Sequence, residues 1–326
     1  MCTAISYHGS SHYFGRNLDL EYGYREQITI TPRNYPFTFR HLPSISNHFA
    51  MIGMATVADD YPLYYEATNE CGLSVAGLNF PSLAHYNKVR ENRQNIASFE
   101  LIPWLLSQYR TVAEVQSAFA QINITDTAFS RALQPTPLHF MVADRDASIV
   151  IESTQEGLCC YDNPIGVMTN APAFPYHMTR LTDFQALSPL PPENRFDPGE
   201  NLTPYSGAMG AIGLPGDWSS VSRFIRAAFV KCNSPSFDCE EESVNHFFRI
   251  LQSVAMPMGS VQLKPGLYDI TRYSCCCNTQ TCKYYYTTYR NSAITCVDMG
   301  KEDLNHNRLI TYALQDTPII HIQNQR

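Results

Sequence analysis

The chain begins Met1-Cys2-Thr3-Ala4-Ile5-Ser6-Tyr7, and the next apolar stretch reads Tyr13-Phe14-Gly15-Arg16-Asn17-Leu18-Asp19-Leu20. The four residues His8-Gly9-Ser10-Ser11 between them are small or polar, which favours a turn. Two strand-like stretches joined by such a turn predict a β-hairpin, with Cys2 at the start of its first strand. The predictions of fold and function both start from this hairpin.

A cysteine in the second position becomes the first residue once Met1 is removed. It then carries a thiol and a free α-amine on one residue, so that nucleophile and base are built together. An α-amine has a typical pKa near ~8, which leaves part of it neutral and able to take the thiol proton. Arg16 would place a cation beside the sulfur, and Asp19 would orient the amine. The pattern predicts a catalytic Cys2, and the alternative is an ordinary buried strand that begins with cysteine.

The composition indicates a globular protein and argues against several partners. The chain has 326 residues, of which 44% are hydrophobic and 16% charged, and its net charge is −7. Without a basic block to neutralise phosphates, we expect no nucleic-acid partner. The absence of a long apolar run predicts no membrane insertion. The N-terminus does not resemble a signal peptide, so we expect a cytoplasmic location.

Cysteines are numerous, and one cluster of them suggests a second class of function. The chain has 11 cysteines, and Cys275-Cys276-Cys277 is followed by Cys282. This spacing is not the C-x-x-C pair typical of zinc, and successive residues of a strand point to opposite faces. We therefore expect no metal. A noncatalytic metal-binding or redox-responsive protein that uses this cluster is the alternative.

The predicted elements follow the order strands, helices, strands, helices, strands. After the hairpin, periodicity predicts strands over 27–31, 50–56, 73–79, 138–143, 148–153, 268–277, 283–289 and 293–299, and a further strand that ends with residues 166–170. It predicts helices over 98–109, from 111 to 122, over 219–231 and over 241–255. Two sheets between helical layers bury these elements most simply. We predict an α/β (α+β) fold built as a four-layer sandwich, in one domain over residues 2–326, with a surface excursion over 187–205.

Five separated segments carry the pattern of a known family. They are Met1-Cys2-Thr3-Ala4, Phe14-Gly15-Arg16-Asn17-Leu18-Asp19, Gly77-Leu78-Asn79-Phe80-Pro81, Thr169-Asn170-Ala171-Pro172, and Gly213-Leu214-Pro215-Gly216-Asp217 with Ser222-Arg223-Phe224. They resemble the choloylglycine hydrolase family of N-terminal-nucleophile (Ntn) hydrolases, and within it the intracellular bacterial bile salt hydrolases. The resemblance implies an αββα sandwich with two mainly antiparallel sheets, and a homotetramer.

The same resemblance implies which residues act. The implied catalytic set is Cys2, Arg16, Asp19, Asn79, Asn170 and Arg223. Asn79 and Asn170 would line the oxyanion region, where neutral donors suit a tetrahedral oxyanion. Arg223 would fix the carboxylate and balance the charge near the nucleophile. Segments that correspond to the substrate loops contribute candidate pocket residues, namely Leu18, Tyr22, Leu63, Tyr65 and Phe129.

The implied reaction is hydrolysis of an amide bond in glycine- or taurine-conjugated bile salts. Thiolate attack would form a thioester, and water would release the acid. No metal or organic cofactor is required. A steroid needs an apolar, aromatic-lined cleft, and 20 Tyr and 17 Phe residues could supply one.

A penicillin V acylase is the nearest alternative within enzymes. It shares the nucleophile and the fold but hydrolyses a phenoxyacetyl amide. Asn79 resembles the bile salt hydrolase branch, whereas the penicillin acylase branch tends to place Tyr at this position. We therefore expect bile salts to be the preferred substrates.

Overall fold

The structure, a computed structural model, describes residues 1–324 and contains the predicted N-terminal hairpin. Strand β1 (Cys2–His8) pairs antiparallel with strand β2 (His12–Leu20). Because side chains alternate along a strand, this register brings Cys2 and Arg16 to one face of the hairpin and Asp19 to the other. The three residues can therefore contact different layers of the fold.

The remaining elements are named in chain order. The strands are β3 (Gln27–Thr31), β4 (Met51–Ala58), β5 (Tyr61–Asn69), β6 (Ser74–Asn79), β7 (Gln94–Ala97), β8 (Ile122–Thr125), β9 (Leu138–Ala143), β10 (Ser148–Thr154), β11 (Gly157–Asp162), β12 (Val167–Met168), β13 (Gln262–Lys264), β14 (Leu267–Tyr268), β15 (Ile270–Asn278), β16 (Lys283–Thr288), β17 (Thr295–Asp298) and β18 (Ile310–Ala313). The α-helices are α1 (Leu101–Gln108), α2 (Val112–Ala118), α3 (Phe174–Arg180), α4 (Ser220–Cys232) and α5 (Glu240–Gln252).

Most strands of the described residues belong to two antiparallel sheets. The first sheet has the order β12-β1-β2-β15-β16-β17, with the N-terminal hairpin near its centre. The second has the order β11-β10-β9-β6-β5-β4-β3-β18. Strand β1, which begins with Cys2, therefore lies inside a sheet, between β12 and β2.

Two hydrophobic cores separate four layers. One core joins the two sheets and also covers the outer face of the first sheet, where α4 and α5 pack through residues such as Phe224 and Phe247. The other core lies between the second sheet and helices α1 and α2, and it includes Trp104 and Val115. Each sheet thus buries one face against the other sheet and one face against helices. The arrangement confirms the predicted αββα sandwich.

Several predicted boundaries differ from the structure. The helix expected from 111 to 122 begins as predicted, because the side chain of Thr111 accepts a hydrogen bond from the backbone N–H of Glu114, but it ends at Ala118. Ile122 instead starts β8, which pairs in parallel with β7. Several elements were not predicted, namely strands β5, β7, β8, β11, β13 and β18 and helix α3. Residues 187–205 form no α-helix or strand, in agreement with the predicted excursion.

No helix within residues 1–324 is long and apolar enough to span a bilayer. The longest helices, α4 and α5, have 13 residues each. A spanning helix requires about 20 apolar residues.

Gly15 allows the closest approach in the first sheet. A Cβ atom at this position would lie 1.9 Å from the backbone oxygen of Cys275 in β15. We expect Gly15→Ala to lower the free energy of unfolding by about 1–3 kcal/mol or more, because a backbone atom cannot rotate away. Gly207→Ala is the matched control, since its Cβ would have no neighbour within 4 Å. Urea denaturation that gives equal stabilities for the two variants would contradict this packing.

Candidate active site

Cys2 lies at the start of β1, and only 3% of its surface is exposed. Its backbone N–H donates a hydrogen bond of 2.8 Å to Oδ1 of Asn170. The ammonium group of Met1 donates to the backbone oxygen of Asp19 at 2.7 Å and to Oδ2 of Asp269 at 3.1 Å. Acceptors for amine hydrogens therefore surround the Met1–Cys2 peptide bond.

Arg16 is fully buried on the face of the hairpin that meets the second sheet. Its Nη1 donates to the backbone oxygens of Gly77 at 2.6 Å and Tyr65 at 3.2 Å. Burial alone would lower the pKa of Arg16, but electrostatic interactions, with Cys2 first and Glu66 among them, outweigh burial, and the pKa is raised. Arg16 is therefore a permanent cation whose charge a Cys2 thiolate would share.

Asp19 and Arg223 form a buried pair on the opposite face of the first sheet, beneath α4. Their charged atoms lie 3.9 Å apart, and neither side chain is exposed. Arg223 also donates to the backbone oxygen of Cys2 and, at 2.6 Å, to Oγ1 of Thr3. Asp19 Oδ1 accepts a hydrogen bond of 2.6 Å from Thr271. The pair thus ties the start of β1 to α4 and β15.

Burial is the main influence on the pKa of both members of this pair. It raises the pKa of the Asp19 carboxyl, which Arg223 and the N-terminal ammonium oppose. It lowers the pKa of Arg223, which Asp19 and Cys2 oppose. Oδ2 of Asp19 has no hydrogen-bond partner among the described residues. This oxygen is available to a further amine hydrogen, which the α-amine of a trimmed chain would supply.

Asn170 forms hydrogen bonds to both Asn79 and the start of β1. Its Oδ1 accepts from the Cys2 backbone and from Nη2 of Arg223 at 2.7 Å, and its Nδ2 donates to the backbone oxygen of Asn79 at 2.6 Å. Because two donors face Oδ1, the orientation of the amide is fixed. One N–H of Nδ2 remains for another acceptor. The predicted oxyanion role of Asn79 and Asn170 stays a prediction.

The structure brings together five of the six predicted catalytic residues, which are Cys2, Arg16, Asp19, Asn170 and Arg223. Arg16, Asn170 and Arg223 interact with Cys2 by hydrogen bonds or charge. Asp19 joins them through its ion pair with Arg223. Asn79 joins them through its backbone oxygen, and its side chain is half-buried at the end of β6. The geometry can place a nucleophile, a cation and an amide donor within one small volume.

The predicted pocket residues occupy different surroundings. They are Leu18, Tyr22, Leu63, Tyr65 and Phe129. Leu18 and Tyr65 pack in the core that contains Cys2, whereas 50% of Tyr22 is exposed. Phe129 packs against two aromatic rings that lie away from that core. Leu18 and Tyr65 are thus the two of the five that share the core with Cys2.

A groove of about 530 Å³ lies on the helical side of the first sheet. Trp218, Met256 and Thr271 are among its lining residues, and Cys2 is not. Thr271 contacts Asp19, so the groove reaches the charged pair from behind. It is therefore distinct from the face on which the Cys2 side chain meets Arg16.

The cysteine cluster is buried within β15 and the following turn. Burial raises the pKa of Cys275, Cys276 and Cys277 well above the usual range, so these thiols keep their protons. Among residues 1–324, no group of three His, Cys, Asp or Glu side chains is arranged to hold a metal ion. The described residues thus give no support to the metal-binding alternative.

The chain matches a known family model and several known proteins. Residues 2–312 match the model of the linear amide C–N hydrolases of the choloylglycine hydrolase family. The chain belongs to the choloylglycine hydrolase family. It is 48% identical over 315 residues to a bile salt hydrolase/transferase of Lactiplantibacillus plantarum, covering 97% of each chain. It is 37% identical to a bile salt hydrolase/transferase of Clostridium perfringens, covering 99% of this chain and 100% of the other.

Solved structures of this family have the same fold. The C2A mutant of the conjugated bile acid hydrolase from Clostridium perfringens superposes with a TM-score of 0.91 at 36% identity, covering 99% of this chain and 100% of the other. Penicillin V acylase from Agrobacterium tumefaciens superposes with a TM-score of 0.76 at 18% identity, covering 96% of this chain and 91% of the other. The second likeness shows the fold alone.

Residues around the predicted set were missed at the sequence level. Glu66, Tyr273 and Tyr284 surround Arg16, while Thr271 and Asp269 lie at the N-terminus and Asp19. They are remote in sequence from the motifs they contact, with separations such as 207 residues between Glu66 and Tyr273. No role in the site was predicted for any of them.

Proposed function

We propose that this enzyme hydrolyses the amide bond of glycine- or taurine-conjugated bile salts. The observation that carries the proposal is the buried Cys2, which has a permanent cation at Arg16 on one face and the Asp19–Arg223 pair on the other. The relatives that are more than 30% identical and named above are bile salt hydrolases. The likeness to penicillin V acylase rests on 18% identity, so bile salts are favoured over penicillin V.

The proposed reaction begins with removal of Met1, which frees the α-amine of Cys2. The amine takes the thiol proton, and the thiolate attacks the amide carbonyl of the substrate. The free N–H of Asn170 and the amide of Asn79 are proposed to donate to the oxyanion, which lowers the barrier to acyl transfer. The amine product leaves with a proton, and water then cleaves the thioester. These steps use only the α-amine of Cys2, side chains of the enzyme and water.

Asp19 and Arg223 are proposed to orient the new α-amine. Cys2 N already donates to Asn170, and the unpartnered Oδ2 of Asp19 offers a second acceptor. Two acceptors would direct the nitrogen lone pair toward the thiol. The N-terminal amine can then act as a base without a histidine.

A panel of amide substrates tests this function. We expect purified enzyme to release taurine from taurocholate and glycine from glycocholate, with a kcat/KM at least about 10-fold above that for penicillin V, a difference of about 1.4 kcal/mol in transition-state binding. Amino-acid release and phenoxyacetate release are measured by chromatography in parallel. A preference for penicillin V would replace the proposed substrate class and leave the Cys2 mechanism in place.

Four finer properties complete the proposal. We propose a cytoplasmic enzyme that acts as a homotetramer and whose mature domain spans residues 2–326. Leu18, Tyr22, Leu63, Tyr65 and Phe129 are kept as candidate residues for the steroid pocket. Sedimentation of the purified protein measures the assembly, and alanine scanning of these five residues for changes in KM measures their contact with substrate.

A further inference from the structure

Each of the two sheets has a β-bulge next to the site. In β5 the register shifts so that Met54 opposes Glu66 while Ala55 opposes Tyr64, which leaves Tyr65 as the extra residue. In β15 the pairing passes from Thr271 to Tyr273 in the same way. Bulges occur often beside active sites, where they redirect side chains. Here they bring the carbonyl of Tyr65 to Arg16.

Glu66 follows the bulge in β5 and is buried between the sheets, with 2% of its surface exposed. Tyr273 donates to its Oε2 at 2.8 Å, and Tyr284 donates to its Oε1 at 2.6 Å. Nε of Arg16 lies 3.7 Å from Oε2. Strands β2, β15 and β16 of the first sheet thus converge on one carboxyl group of the second.

The groups around Glu66 fit its ionised form. Burial raises its pKa, and Arg16 followed by Tyr284 and Tyr273 oppose that effect. Burial also raises the pKa of both tyrosines well above the usual range, so they keep their protons and donate. Two hydroxyl donors and a guanidinium face the two oxygens, and a buried carboxylate needs such partners.

Arg16 is shared between Glu66 and Cys2. Among the described residues, its Nη1 donates to backbone oxygens, and its buried Nη2 has no partner. Its Nε donates to the backbone oxygen of Asn17 at 3.4 Å and lies 3.7 Å from Oε2 of Glu66. Cys2 and Glu66 both add negative charge that raises the pKa of Arg16. A carboxylate on one side of the guanidinium therefore competes with a thiolate for the charge of the same cation.

We propose that Glu66 is a positioning residue for Cys2: Tyr273 and Tyr284 hold its carboxylate, which orients the Arg16 guanidinium and balances its charge beside the Cys2 sulfur. The inference rests on the proposed function in assigning Cys2 as nucleophile. Glu66 acts through Arg16 and is not assigned any contact with substrate.

Glu66→Gln tests the charge balance, because it keeps the size of the side chain. The pH dependence of Cys2 alkylation by iodoacetamide is followed by mass spectrometry of the N-terminal peptide. We expect the midpoint to move to lower pH, on the order of one pH unit, because removal of a negative charge leaves more of the Arg16 charge to the thiolate. Other charged or titratable groups lie near the two residues, and Glu66→Gln leaves all of them in place. They are Asp19, Arg223 and Asp269 near Cys2, and Cys275 near Glu66.

The same variant is expected to lose about 10-fold in kcat on taurocholate, with KM changed less than about two-fold. A guanidinium that is less well oriented, and a thiolate that is held more tightly, both slow attack on the carbonyl. An alkylation midpoint at or above the wild-type value, or a kcat within two-fold of wild type, would overturn the proposal. A role confined to stability would not move the midpoint of the folded enzyme.

Tyr284→Phe and Tyr286→Phe form a matched pair that does not depend on folding of the Glu66 variant. Both tyrosines lie in β16 and are 1% exposed, but the hydroxyl of Tyr286 accepts from the backbone N–H of Gln315. We expect kcat to fall several-fold in Tyr284→Phe only, in line with the loss of one hydrogen bond to a charged group. Equal kcat values in the two variants would overturn the inference.

The alkylation experiment uses no bile salt, so it separates the two proposals. Wild-type enzyme that fails to cleave conjugated bile salts would remove the proposed substrate, and the midpoint shift in Glu66→Gln would still test the role of Glu66. Wild-type enzyme that cleaves them, with no effect in Glu66→Gln or Tyr284→Phe, would remove the role of Glu66 alone.

Discussion

Cys2→Ser is expected to reduce kcat on taurocholate by on the order of 10⁴-fold or more. Loss of a nucleophile removes the covalent path and leaves only binding and oxyanion stabilisation. A serine hydroxyl is much less acidic than a thiol, so the neighbouring Arg16 cannot hold it as an anion at neutral pH. Initial rates of taurine release, measured at high enzyme concentration, cover the required range.

Two controls make this result specific. Cys71→Ser removes an exposed thiol and should retain activity within about two-fold, as substitutions at the surface usually do. The intact mass of Cys2→Ser must also lack Met1, so that failed processing does not imitate loss of the nucleophile. Turnover by Cys2→Ser at the rate of the wild type would exclude the mechanism.

Arg223→Leu is expected to lower the free energy of unfolding by about 3–5 kcal/mol, because it leaves the buried Asp19 charge without its cation. It also removes donors to the backbone oxygen of Cys2, to Thr3 and to Asn170. Arg226→Leu on the same helix is the control. Arg226 is half-buried and contacts backbone oxygens of loops, so its loss should cost less. Urea denaturation measures both variants.

The amount by which Arg223→Leu lowers the free energy of unfolding, its stability deficit, should depend on pH. Burial raises the pKa of Asp19, and Arg223 is the first influence that opposes this rise. A protonated Asp19 has no charge to leave unpaired, so the deficit relative to wild type should shrink as the pH falls below the raised pKa of Asp19. Asp19→Asn in the Arg223→Leu background should recover part of the lost stability at neutral pH. A deficit that is the same at all pH values, and is not relieved by Asp19→Asn, would contradict the ion pair.

The fold could be predicted to the level of its layers because local patterns specify it. The β1–β2 hairpin, the Thr111 cap and the apolar face of α5 each depend on neighbouring residues, and each is found in the structure. The family segments then fixed the order of the layers. These features require no knowledge of contacts between distant parts of the chain.

The missed strands depend on tertiary contacts. Strand β5 contains Pro62, which argues against a strand in sequence, but the bulge at Tyr65 and pairing with β4 stabilise it. Strand β18 is largely exposed and exists through its pairing with β3. The helix that was extended to Ile122 ends early because that residue joins β8. Propensity alone could not reveal these pairings.

The residues of the candidate site likewise divide into those that sequence patterns predict and those that depend on tertiary contacts. Roles could be predicted for residues within the family segments. The contact of Glu66 with Tyr273 and Tyr284 could not, because 207 and 218 residues separate the hydrogen-bonded partners. Phe129 was named from its place in a loop, and it packs with other aromatic rings instead of the Cys2 core. Within the site, the sequence therefore leaves open which side chains surround the predicted residues.

Mass spectrometry of the enzyme, quenched in acid during taurocholate turnover and digested, tests the central claim most directly. The account predicts an N-terminal peptide that begins at Cys2, lacks Met1 and carries a cholyl group on the thiol. An acyl group on any other residue, or turnover by protein that retains Met1, would contradict it.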